Sequence, residues 1–279
     1  GAVESGSSII IDGSDISVTH NTVGTGNYTL ETRGIYAESG GSIQIGSDDT
    51  DTLHVEVVNG SNRPVNDTLS SIQIRGNESS LAFYGKNIYL TTEDGIINGV
   101  DSDGGSLVIG SDATESITVD SPIATHGDGA STIINASKEI TLGNVAANDD
   151  SFTQIGNTAT ESASITGALW MFGGPEATVL GKSITIEADP DLVFNGAYSR
   201  ASSSVSIGSD ETNDVTITVA VTGDDSTLTI LGNDITIGNG YASLNAYDGS
   251  QLVVGDTSTE SAILDGWIAA EGGDIDDEA

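Results

Sequence analysis

The sequence predicts an all-β chain wound as one right-handed, single-stranded parallel β-helix, a β-solenoid of about a dozen coils. Three observations carry that prediction. The chain repeats itself about every fifty residues. Its apolar residues alternate with polar ones in runs of four to six. It is also rich in glycine and poor in large side chains, with 36 Gly against 4 Phe, 2 Trp, 1 Met and 4 Pro in 279 residues. A helical bundle does not have this composition, and no helical period persists along the chain.

The repeats come in two interleaved sets. Ile45-Gly46-Ser47-Asp48-Asp49-Thr50 recurs with its glycine at 110, 156, 208 and 255, and each copy keeps a threonine four residues after the glycine: Thr50, Thr114, Thr160, Thr212 and Thr259. Between these copies lie Lys86-Asn87-Ile88-Tyr89-Leu90, Lys138-Glu139-Ile140-Thr141-Leu142, Lys182-Ser183-Ile184-Thr185-Ile186 and Asn233-Asp234-Ile235-Thr236-Ile237. The shared glycines are 64, 46, 52 and 47 residues apart, which places an insertion in the first unit near Gly60-Ser61-Asn62-Arg63-Pro64. The expected organisation is a single domain over 1–279, with repeats over 34–85, 86–137, 138–181, 182–232 and 233–279.

Within each unit, short period-two runs of Ile, Val, Leu and Thr are separated by clusters of Gly, Asn, Asp and Ser, the signature of strands joined by turns. Propeller blades carry recurring aromatic signatures that are missing here, whereas a solenoid with coils of roughly 20–25 residues fits two coils into one unit. A dozen coils at a strand spacing of about 4.8 Å make a rod of about 55 Å. Isoleucine, valine and leucine stack in ladders along its narrow core. Glycine and asparagine take the corner positions that need positive φ. The open ends of such a rod need covering, and the acidic run Gly272–Ala279 is a candidate for discouraging end-to-end pairing.

Charge narrows the function. Seven basic side chains against 42 acidic ones give a formal net charge of −35, which excludes nucleic-acid binding by phosphate neutralisation. Without cysteine there are no disulfides, thiolate metal sites or thiol nucleophiles. No run of eighteen apolar residues occurs, and Gly1-Ala2-Val3-Glu4-Ser5 has no signal-peptide character. The expectation is a piece of a longer protein, with any signal or anchor outside it.

Aligning the repeats puts Asp48, Asp112 and Asp210 at one position, with Asp49 and Glu211 beside them. Read functionally, Asp48, Asp49, Asp112, Asp210 and Glu211 form a ladder of oxygen ligands for calcium along one edge of the rod. Read structurally, they belong to Asx or Ser/Thr turns whose side chains bond local backbone, and this is the stronger reading. Equivalent aspartates two coils apart stand about 10 Å from one another, too far to share an ion. Asp101-Ser102-Asp103-Gly104-Gly105 begins like a calcium loop, but Gly105 and Ser106 fall where the EF-hand needs a ligand and its glycine. His20, His54 and His126 lack metal-ligand spacing and read as surface residues. The lysines open strands of the second repeat set, a structural placement. No nucleophile elbow or phosphate loop occurs, and no enzymatic or cofactor requirement is expected, calcium excepted.

Ala168-Leu169-Trp170-Met171-Phe172-Gly173-Gly174 concentrates large apolar residues. Trp170 and Phe172 share one face of a strand and Met171 takes the other. They form either an exposed platform for carbohydrate or self-association, or a wider stretch of core or packing beneath the loop near Pro175, and burial of this kind is the expected placement. Trp267 is expected to cover a neighbouring coil.

Arg33-Gly34-Ile35-Tyr36-Ala37-Glu38-Ser39-Gly40-Gly41-Ser42-Ile43 is echoed by Val100–Leu107 and by Leu244–Leu252. This texture resembles the passenger domains of Gram-negative autotransporter adhesins. The resemblance covers nearly the whole chain and implies a right-handed β-helix exported through the periplasm and displayed at the outer membrane, with the translocating barrel downstream. It implies a non-catalytic adhesin that engages host-surface glycans or proteins, or copies of itself on neighbouring cells. The alternatives are a glycan-active hydrolase or lyase on the same scaffold, and a passive surface stalk.

Overall fold

The computed structural model describes residues 6–22, 34–59, 72–93, 99–187, 196–238 and 244–271. Thirty short strands lie in three parallel sheets of ten, and each strand is hydrogen-bonded to the third strand before it and the third after it. Every coil of this β-solenoid thus gives one strand to each sheet. Sheet 1 begins with Ser8–Ile11, sheet 2 with Asp15–Thr22 and sheet 3 with Ile35–Glu38. There are ten coils among the described residues, not a dozen, because the coils are unequal. From a residue in sheet 1 to its partner on the next coil the chain runs 34 residues (Ser8 to Ser42) and then 38 (Ser42 to Ser80). Later coils take 21 to 28. The segment Gly60–Pro64, read as an insertion, and the acidic run Gly272–Ala279 lie outside the described residues.

Period two decides what is buried. In sheet 1, Ile45, Phe83, Ile109, Ile134, Ile155, Val179, Ile207, Ile230 and Val254 stand in register on successive coils, facing inward. In sheet 2 the equivalent row runs Ile88, Ile117, Ile140, Ala163, Ile184, Val215 and Ile235. Phe83 is the one core aromatic among the described residues. β-Branched side chains suit the work: each is stiff at χ1 and packs on the same residue type one strand spacing away.

The two repeat sets alternate coil by coil. The Gly-x-x-x-Thr set forms a long corner between sheets 1 and 2 on every even coil, and the Lys or Asn set follows a short corner on the third, fifth, seventh and ninth coils. The threonine joins them. Its Oγ1 accepts the N–H of the residue three before it at 2.9–3.0 Å and donates to a carbonyl in the short corner of the preceding coil at 2.6–2.9 Å, in all five copies. Thr50, Thr114, Thr160 and Thr212 are fully buried, so both bonds are made away from water, where an unmet partner is costly. The lysines act on the same edge: Lys86 Nζ donates to Asp51, and Lys138 Nζ donates to Glu115 at 2.6 Å.

The corner from sheet 3 back to sheet 1 is also short, and on six coils it takes a pair of adjacent positive-φ residues. The pairs are Ser39-Gly40, Asp149-Asp150, Gly173-Gly174, Ala201-Ser202, Asp224-Asp225 and Asp248-Gly249. Short polar side chains and glycine tolerate this conformation best. All three stretches that carry the family resemblance span this corner.

Candidate functional site

Of the three outer faces, sheet 3 carries the chemistry. Its strands are short, and one in-register row takes the outer positions: Tyr36, Gln73, Asp101, Ala124, Ala146, Trp170, Tyr198, Val221 and Asn245, of which Gln73, Asp101 and Ala124 are nonetheless buried. Beside it stand Glu38, Arg75, Asp103 and His126 on the first four coils, then Asn148, Phe172 and Arg200 on coils five to seven. The face therefore has a polar half and an aromatic half.

In the polar half, Asp101 is almost fully buried, and Gln73 Nε2 donates to its Oδ2 at 3.2 Å. Ala124, opposite Asp101, leaves room for the His126 ring to lean across, which brings Nε2 to 2.7 Å from Asp101 Oδ1. That oxygen has no other partner, so the contact becomes a hydrogen bond only when Nε2 carries its proton. His126 Nδ1 lies 3.6 Å from Asp103 Oδ1, and Arg75 Nε stands 3.9 Å from Asp103 Oδ2, an ion pair too long for a hydrogen bond. The hydrogen bond to Asp101 raises the pKa of His126 above 6.5, burial opposes it, and the charges of Asp101, Asp103 and Asp149 add to the rise.

His126 was read as a surface residue and Asp101 as part of a failed calcium loop, yet they form one half-buried pair. A signal was present: Asp103-Gly104 and His126-Gly127 each end a sheet 3 strand at a corner glycine, and aligning them sets the strands side by side. A raised imidazole pKa stabilises the fold in full below the unfolded value of about 6.5, and this contribution is lost as pH climbs through the higher folded value. In Asp101→Asn the His126 midpoint, followed by proton NMR, is expected to fall toward or below 6.5. An unchanged midpoint would show that Asp101 is not its partner.

In the aromatic half, Trp170 is 47% and Phe172 57% exposed. The expectation that these rings widen the core is overturned. Leu169 and Met171 take the ladder positions over Val145 and Ala147, so the residues between and after them point outward. Tyr198 meets the Trp170 ring edge-on, with centroids 5.9 Å apart and planes at 68°, and its partial burial raises its phenol pKa. Trp267, expected to cover a neighbouring coil, is 74% exposed.

The acidic edge has a different character. Asp48 accepts from Ser111 Oγ two coils on at 2.6 Å, and Asp112 accepts from Asn135 Nδ2 at 2.7 Å and Asn157 Nδ2 at 3.3 Å. Asp49, Asp210 and Glu211 are exposed at the tips of their corners. Among the described residues no group of three or more His, Asp or Glu side chains is placed to hold a metal ion. The bonds that Asp48 and Asp112 make run between corners, sideways along the rod.

Sheet 2 presents a third pattern. Thr118, Thr141, Ser164, Thr185, Thr216 and Thr236 stand in register on six successive coils, half-buried on its outer face. The row beside it is mixed, with Ser116, Ser162 and Ser183 among Glu139, Asp214 and Asp234.

The fold and these faces define an acidic parallel β-solenoid repeat protein. No known family, curated protein or solved structure matches the chain.

Proposed function

We propose that this chain is part of the passenger of an autotransporter-type bacterial adhesin, a non-catalytic rod displayed outside the cell that engages its ligand through the outer face of sheet 3. One observation carries the reading: three aromatic rings, Trp170, Phe172 and Tyr198, gather on the outside of a rod whose core holds a single aromatic side chain among the described residues. An exposed aromatic cluster is costly unless something covers it, and aromatic side chains dominate binding hot spots. The ligand is a host-surface glycan or protein. Latex beads coated with the purified chain are expected to adhere to epithelial monolayers. Trp170→Ser/Phe172→Ser, which changes outward side chains only, is expected to cut adhesion at least fivefold. Beads that neither adhere nor clump would leave the passive stalk, and turnover of an oligosaccharide would establish the glycan-active enzyme instead.

A second reading, self-association between cells, is favoured by the hydroxyl row on sheet 2. The row itself carries no charge, so its neutral donors and acceptors at strand spacing give two rods of like charge a line along which to meet. Bead clumping that survives the aromatic substitutions, together with concentration-dependent sedimentation, would select it.

A further inference from the structure

We infer that the aromatic half of sheet 3 receives a basic segment of a partner protein, with a Lys or Arg side chain packed on Trp170 and Phe172. This rests on the reading of sheet 3 as the ligand face and names the chemistry of its partner.

The rings are the first reason. The faces of Trp, Tyr and Phe attract cations, and Trp does so most strongly. Trp170 and Phe172 lie two positions apart on one strand, both open to solvent, with Tyr198 against the Trp170 ring on the next coil.

The surrounding charge is the second. Gly173 and Gly174 directly follow Phe172, and the carboxylates of the corner one coil below lie against them. A Cβ placed on Gly174 would stand 2.2 Å from Asp150 Oδ1, and one on Gly173 would stand 3.6 Å from Asp149 Oδ1. On the coil above, Arg200 is in register with Phe172, and its Nε lies 3.5 Å from Asp224 Oδ2, so an acid from the following corner already answers its charge. Asp149 and Asp150 are exposed in the corner one coil below, against the glycines that follow Phe172, and the charge of Asp149 is also felt by His126.

The whole chain is the third. At −35 the rod repels sialylated or sulfated glycans, nucleic acids and anionic headgroups, and draws in a cationic partner at long range. A neutral sugar would stack on the rings but leave the adjoining carboxylates unanswered. A basic segment meets both, and rings flanked by carboxylates set the register of a charge that the rod otherwise attracts everywhere.

The test must separate this patch from general attraction to a polyanion. The chain has two tryptophans, so Trp267→Phe leaves Trp170 as the only indole. In that background, at 0.15 M salt, hexalysine is expected to shift Trp170 emission saturably, while hexaglutamate and neutral chitotriose do not. Phe172→Ser is expected to weaken hexalysine binding about tenfold by calorimetry, the loss of one partly desolvated cation–π contact. Asp149→Asn/Asp150→Asn keeps side-chain shape and corner conformation, and is expected to weaken it at least as much. The proposal is overturned if Trp170 emission does not respond, if chitotriose shifts it in place of hexalysine, or if hexalysine binds the Trp170→Ser/Phe172→Ser protein unchanged. In each of those cases the bead assay still decides whether sheet 3 is the ligand face.

Discussion

Gly208→Ala is expected to cost about 3–5 kcal/mol, because it combines two penalties. Gly208 has φ +79°, where an L side chain is strained, and an added Cβ would stand 1.9 Å from the Leu231 carbonyl oxygen on the next coil. That oxygen accepts no bulk in exchange, since it belongs to the backbone of the following short corner. The same approach recurs at Gly46 against Tyr84, Gly110 against Asn135 and Gly156 against Leu180. Gly129 supplies the control. Its φ is +78°, but nothing lies within 4 Å of its Cβ position, so Gly129→Ala bears the conformational strain alone, about 1–2 kcal/mol. Urea denaturation followed by circular dichroism measures both. Equal losses would mean that the contact between coils contributes nothing.

Phe83→Ala is expected to cost a further kind of stability, about 3–5 kcal/mol, by opening a cavity. Phe83 is fully buried in the third coil and stands in the ladder between Ile45 and Ile109. Its coil neighbours are fixed by hydrogen bonds on both strand edges and collapse poorly into the space. Because a solenoid is held by nearest-neighbour contacts, the damage is local. Unfolding is then expected to divide into two transitions, the first reporting coils near the third and the second the remainder. A single cooperative transition, shifted as a whole, would contradict this picture and show that stability is shared along the rod.

The corner and ladder predictions were readable in advance because they depend on residues close in sequence. Gly46 to Thr50 and its four copies needed only the recurrence of a glycine and a threonine. The turn reading of that motif is what the threonine bonds show, and period two placed Ile117 and Val119 inward without reference to any other coil.

Other features resisted because they depend on how much chain each coil consumes. Asp101 and His126 are 25 residues apart, and Trp170 and Tyr198 are 28 apart. The corner glycines Gly104 and Gly127 offer an alignment for the first pair, but the second is not visible until the length of the intervening coil is known. The coil count was overestimated for the same reason: the first two coils take 34 and 38 residues, where coils of roughly 20–25 residues with one insertion were expected. The aromatic run at 169–172 was assigned to the core on hydrophobicity, although its alternation already left room for only Leu169 and Met171 there.

The sequence by itself determined a parallel β-solenoid with two alternating corner types, a thin aliphatic core and an acidic surface. Each of these follows from local backbone preference and period-two burial, which every coil repeats. Only the tertiary structure decided the register between coils, and with it which side chains share an outer face. Register is the running total of every connection, so one longer corner moves all later residues relative to all earlier ones. That total put His126 against Asp101, and Trp170 beside Tyr198 on the open side of sheet 3.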